Sequence, residues 1–134
     1  MAVKSMSSSL DLSSAMPYLR IQIARTVNGF IIDTSDYEAG LVFFFGIFDR
    51  LGGEFVYKIY EGDKSDMSDA VLIPPEKFTS SNIDFSGEIS PGESLYKVGI
   101  FSNKRYVRLD VISSGTGIDG YIFASVVQGI EYLT

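Results

Sequence analysis

Two stretches carry residue types that could do chemistry. The first is Glu61-Gly62-Asp63-Lys64-Ser65-Asp66-Met67-Ser68-Asp69, where Asp63, Asp66 and Asp69 could converge as oxygen ligands for a hard cation such as calcium. Its spacing lacks the alternate-position ligands and the sixth-position glycine of a calcium loop, and Lys64 sits inside it. Asp and Ser also make turns by bonding their own backbone, and that is how the stretch reads. The second is Gly115-Thr116-Gly117-Ile118-Asp119-Gly120, which matches a Gly-x-Gly-x-x-Gly string. Phosphate binding by such a string needs a helix N-terminus behind it; here apolar strand-like runs lie on both sides, so it reads as a hairpin loop.

Whole classes of chemistry are excluded by composition. The 134 residues include no His and no Cys. Serine triads, imidazole acid–base catalysis, thiolate zinc sites, cysteine nucleophiles and disulfides go together. None of the 17 acidic residues is set apart by its context as one of a hydrolytic carboxylate pair. The sequence therefore points to a non-enzymatic protein with no cofactor and no metal. Net charge is −6, with residues 1–35 at +1, residues 36–94 at −8 and residues 95–134 at +1. An acidic middle does not suit a phosphate backbone, and Lys104, Arg105 and Arg108 beside Asp110 read as a solvated strand face. No nucleic-acid partner is expected. The longest apolar run, Leu41 to Phe48, falls far short of the ~20 residues of a membrane helix, and the opening residues lack a signal-like apolar core. No membrane partner is expected either.

The elements that must position these residues are strands. Apolar residues make up 46% of the chain against 21% charged, which excludes a disordered polymer. Short runs of Val, Ile, Phe and Tyr alternate with Gly, Asp, Asn, Ser and Pro, and no window holds a helical stripe. Strands are predicted near 19–27, 30–33, 40–48, 54–61, 71–73, 83–89, 95–102, 105–112 and 120–131. The fold expected is all-β, a two-sheet antiparallel sandwich of jelly-roll type, with a small closed barrel as the alternative. Residues 18–134 would form this single domain, and residues 1–17, rich in Ser and closed by Pro17, an extended N-terminal arm.

Strand alternation assigns faces. Phe55, Tyr57 and Ile59, and likewise Val107, Leu109 and Val111, read as core. In 41–48 and 121–130 both faces are mostly apolar: Val42, Phe44 and Phe48 oppose Phe43, Phe45 and Ile47. A sandwich has one core face per sheet, so the second face needs a cover. A loop or the N-terminal arm of the same chain could supply it. Another subunit or a partner protein is the preferred reading. The interface residues expected on this basis are Leu10, Leu12, Met16, Val42, Phe44, Phe48, Arg105 and Arg108.

One resemblance adds to this. Val98-Gly99-Ile100, Asn103-Lys104-Arg105-Tyr106-Val107-Arg108-Leu109-Asp110-Val111 and Tyr121-Ile122-Phe123-Ala124-Ser125-Val126-Val127-Gln128-Gly129, together with Val56-Tyr57-Lys58-Ile59-Tyr60-Glu61-Gly62-Asp63 and the segment from Asp33-Thr34 to Leu41-Val42-Phe43-Phe44, resemble the small jelly-roll capsid decoration (cement) proteins of tailed bacteriophages. The pattern spans roughly residues 27–130. The Phe-rich strand is greasier than the family's, and the acidic turn less regular. The resemblance implies a virion structural protein on the capsid exterior, forming a homo-dimer or trimer and bridging major capsid protein subunits. A head–tail junction or tail component of the same particle, or a carbohydrate- or receptor-binding β-sandwich, are the alternatives.

Overall fold

The computed structural model of the chain describes residues 11–35, 40–79, 87–91 and 95–128, with Asp11 and Leu12 by backbone alone. Among the described residues seven strands lie in one antiparallel sheet: β1 (Asp11–Ile21), β2 (Arg25–Asn28), β3 (Ile32–Asp33), β4 (Leu41–Gly62), β5 (Val71–Leu72), β6 (Tyr96–Ile100) and β7 (Tyr106–Gln128). Pro75–Lys77 makes a single 3-10 turn.

Two of these strands govern the rest. β4 has 22 residues and β7 has 23, and they pair along their whole length, from Leu41 opposite Gln128 to Gly62 opposite Tyr106. At a rise of about 3.3 Å per residue each would be roughly 70 Å long if straight, about twice the diameter of a compact domain of this size. They are not straight. The register shifts between Phe48 and Gly52 and again between Gly52 and Glu54. Around these shifts Asp49 and Gly53 on β4, and Gly115 and Gly117 on β7, take left-handed backbone angles, with φ +93° at both Gly53 and Gly115. Glycine pays no side-chain penalty there, so a bulge on each strand lets the pair bend together.

The bend brings the strand back onto itself. The rings of Phe45 and Tyr57, both on β4, lie 4.8 Å apart at 55°, and Phe45 also stacks on Tyr96 of β6 at 5.6 Å. Residues before the bend (Phe43, Phe45, Ile47, Ile122, Val126) and after it (Phe55, Tyr57, Ile59, Leu109, Val111) belong to one buried cluster. Arg50 clamps the corner. It donates to the carbonyls of Ile89 and Gly53 at 2.6 and 2.9 Å and covers the Phe55 ring.

The outer strands follow this ribbon. β1, β2 and β3 run in turn along one edge of β7, opposite residues 120–128, 110–113 and 106–107. β6 and β5 flank the other edge of β4, opposite its first and last residues. The Gly87 and Ile89 backbones add to that edge through bonds with Tyr57 and Phe55.

Several expectations are corrected here. The segments 40–48 and 54–61 are one strand, as are 105–112 and 120–131 in their described parts; Gly52-Gly53 and Gly115–Gly117 mark bends and not hairpins, because each strand keeps the same partner on both sides. All seven strands share one hydrogen-bonded sheet in place of two. The expected strand 19–27 is interrupted at 22–24, and in its described part 83–89 contributes only an isolated bridge from Glu88 to Val56. Residues 11–17, expected in the arm, belong to edge strand β1, whose alternation is broken by irregularities at Ser14/Met16 and Met16/Leu19. Residues 1–10 lie outside the described residues. The inward assignment of Phe55, Tyr57, Ile59, Val107, Leu109 and Val111 agrees with their burial.

Phe45 touches both arms of the bent strand, so Phe45→Ala removes contacts on each. The expected loss is about 3–5 kcal/mol of unfolding free energy, read from the denaturant midpoint. Phe44→Ala, on the opposite face, costs much less.

Candidate functional site: the outer aromatic face

Folding the ribbon hides its inner faces and leaves two outer ones of different chemistry. Before the bend, the outward residues of β4 are Val42, Phe44, Gly46 and Phe48, in register with Val127, Ser125, Phe123 and Tyr121 of β7. None of these eight is charged. Val42, Phe44, Tyr121, Phe123 and Val127 are partly exposed, and Phe48 is 44% exposed. Phe48 and Phe123 stack at 4.5 Å, almost parallel at 7°. Tyr18 of β1, 65% exposed, stacks on Tyr121 at 5.9 Å and carries the aromatic surface across to the sheet edge. Charges adjoin this face: exposed Lys97 of β6 lies directly opposite Phe44, and toward the bend Arg20 grips Asp119 with two bonds of 2.9 Å, its guanidinium 5.5 Å from the centre of the Tyr121 ring. The Arg20 guanidinium holds the Asp119 carboxyl below the usual aspartate range.

Beyond the bend the outer face is mixed. Glu54, Val56, Lys58 and Tyr60 pair with Ser114, Ile112, Asp110 and Arg108. Arg108 forks onto Asp110 at 2.8 and 3.0 Å and lies over Tyr60. Asp110 is 3% exposed although it points outward, because Arg108 covers it and the Gly29 amide also donates to it.

The expected interface residues separate on inspection. Val42, Phe44 and Phe48 come together on the aromatic face. Met16 does not join them; it is 1% exposed and part of the core, since the irregularities in β1 turn it inward. The Leu12 backbone pairs with Val127 at the edge of that face, and Leu10 lies outside the described residues. Arg105 and Arg108 sit on the other half. Arg105 pairs with Asp33 at 3.0 and 3.1 Å, and Arg108 is committed to Asp110. Tyr121, Phe123 and Val127 complete the site; the two-sided apolar alternation of 121–130 is the signal that marks them. For Tyr18 there is no local signal, because its partner comes from the far end of the chain.

The acidic loop has a structural role. Asp69 accepts from the Asp63 and Lys64 amides, and Asp66 from the Ser68 amide, which lowers the pKa of both carboxyls. Among the described residues no group of three or more acidic side chains is placed to hold a metal. Glu61, 2% exposed, is neutralised by Lys77 at 2.7 Å and accepts also from Ser102. Thr34, Ser35, Asp63, Ser102, Asn103, Lys104 and Arg105 line an open polar cleft of about 340 Å³. Its Lys104 is paired with Asp63, which raises the lysine's pKa. No helix among the described residues is long and apolar enough to cross a membrane. Comparison of the chain with protein-family models, with curated proteins and with solved structures found no match.

Two predictions follow the charges. Asp33 is held well below the usual aspartate range by Arg105 first and then by the Ser35 amide. A depressed folded-state pKa adds stability above the unfolded value of about 3.9 and loses it as pH falls through the folded value. Asp33→Asn should therefore lower Tm at pH 7 slightly, the pair being exposed, and flatten the acid limb of a Tm–pH curve below about pH 4. Lys77→Ala leaves the Glu61 carboxylate buried without its cation. The expected loss is about 3 kcal/mol at pH 7, measured by urea unfolding.

Proposed function

We propose that the protein is a non-enzymatic structural component of a phage particle, a capsid decoration (cement) protein that binds the outside of the head and stabilises it by bridging major capsid protein subunits. The observation that carries this reading is the uncharged outer face of Val42, Phe44, Phe48, Tyr121, Phe123 and Val127, flanked by Tyr18. Contiguous apolar surface of this kind suits an interaction site, read here as a contact with another polypeptide. The resemblance of residues 27–130 to decoration proteins supplies the identity of the partner, and with it a jelly-roll kinship for the folded ribbon. The physical mechanism is mass action. A ligand that binds the assembled shell and not its separated subunits stabilises the shell by RT ln(1 + [L]/Kd) for each site.

A sugar-binding reading has one feature in its favour: the stacked Tyr18 and Tyr121 rings with the Arg20–Asp119 pair beside them would suit a pyranose face. Specific glycan-array hits that vanish in Tyr18→Ala would favour it.

The decoration reading is tested by co-sedimentation with heads assembled from the neighbouring major capsid protein. The wild-type chain should saturate the heads. Phe44→Asp should lose most of its occupancy while keeping the wild-type far-UV circular dichroism. A wild-type chain that does not sediment with heads, or a folded Phe44→Asp that binds as well as wild type, would overturn the reading.

A further inference from the structure

We infer that the segment of capsid protein received by the aromatic face presents a carboxylate to Lys97 beside an apolar side chain over Phe44; this rests on the reading of that face as the capsid contact. Lys97 of β6 is exposed and stands directly opposite Phe44, so the two side chains leave the sheet on the same side. Beyond Phe44 the row continues through Ser125 of β7 to Ser14 of β1. The neighbouring row, Gly99, Val42 and Val127, carries no polar side chain. Toward the bend, the row of Phe48 and Tyr121 ends on Arg20, which Asp119 already holds. Among the described residues ion pairs also occupy Lys77, Lys104, Arg105 and Arg108, and Lys97 takes part in none of them. The face therefore offers an uncommitted cation one strand, about 4.8 Å, from a ring at its centre.

An occupant that covers Phe44 also closes over this ammonium. A charge taken out of water without an opposite partner costs more than the apolar contact returns. The lysine stem can carry the charge to the edge of the contact, where an acidic group of the capsid segment meets it. Among the described side chains a second copy of this face has no such group to give, since Asp119 is tied to Arg20 by two bonds of 2.9 Å. Size also limits the occupant. Four strands by the eight residues from Leu41 to Phe48 give a plan area of roughly 500 Å² at about 4.8 Å between strands and 3.3 Å per residue. Most of the lining is half-buried, so the surface is shallow. It suits a short segment better than a whole domain face, and a contact of this class is weak enough for one charge pair to set its salt dependence.

Co-sedimentation with heads assembled from the neighbouring major capsid protein tests the inference, each variant being checked first for wild-type far-UV circular dichroism. Wild-type affinity should fall several-fold between about 50 and about 300 mM NaCl, as the pair is screened. At the lower salt Lys97→Glu should weaken binding about tenfold, Lys97→Ala less, and Lys97→Arg should retain it. Lys97→Ala should also flatten the salt dependence. Lys64→Glu makes the same change in net charge on the exposed acidic loop and should bind as wild type does. A folded Lys97→Glu that binds heads like wild type, or a Lys64→Glu that loses as much, overturns the inference. If Phe44→Asp still loses its occupancy in that case, the decoration reading stands without the charge pair. A wild-type chain that ignores heads at both salt concentrations refutes the decoration reading, and this inference with it.

Discussion

The structure depends on one geometric constraint: two strands of more than twenty residues each, paired along their whole length, are too long for the domain that contains them. A compact fold accommodates them only by bending both at the same place. The left-handed residues Asp49, Gly53, Gly115 and Gly117 meet that requirement, and Arg50 holds the corner by bridging the Ile89 and Gly53 carbonyls. Once the ribbon folds, each half presents its inner face to the other. Phe43, Phe45 and Ile47 are then buried against Phe55, Tyr57 and Ile59, with about 1.5–3 kcal/mol gained for each large side chain removed from water.

The same fold decides where surplus apolar surface ends up. Alternation after the bend sends Glu54, Lys58, Arg108 and Asp110 outward, where Arg108 and Asp110 pair with each other. Alternation before the bend sends out Val42, Phe44, Phe48, Phe123 and Val127, of which Phe48 and Phe123 stack on each other and all stay at least partly exposed. The chain carries 17 acidic against 11 basic residues, yet the outward positions of β4 and β7 before the bend carry no charge. Function on this account is adhesion directed by one face, with the opposite face available for a second contact.

Much of this was legible in the sequence. Two-sided apolar alternation in 41–48 and 121–130 marked the aromatic face, and one-sided alternation in 54–59 and 105–111 marked the mixed one. The bends were not legible, because Asp49 to Gly53 and Ser113 to Gly117 have the composition of hairpin loops. Only the continued pairing of β4 with β7 on both sides distinguishes a fold in a ribbon from a turn between strands. β1 was hidden for a different reason. Its Ser-rich start, Pro17 and two register irregularities erase the period-two signal, and Met16 reads as an arm residue although it lies in the core. The ion pairs joining Glu61 to Lys77 and Asp33 to Arg105 were also invisible, since partners distant in the chain leave no local pattern.

The central claim is that the face bearing Val42, Phe44, Phe48 and Phe123 lies against another polypeptide when the protein is in its working state. An experimental structure of the assembled form tests this most directly. The account predicts side chains of a second molecule within about 4.5 Å of Phe44, Phe48 and Phe123. Finding those three rings facing solvent, or covered by residues 1–10 of their own chain, would contradict it.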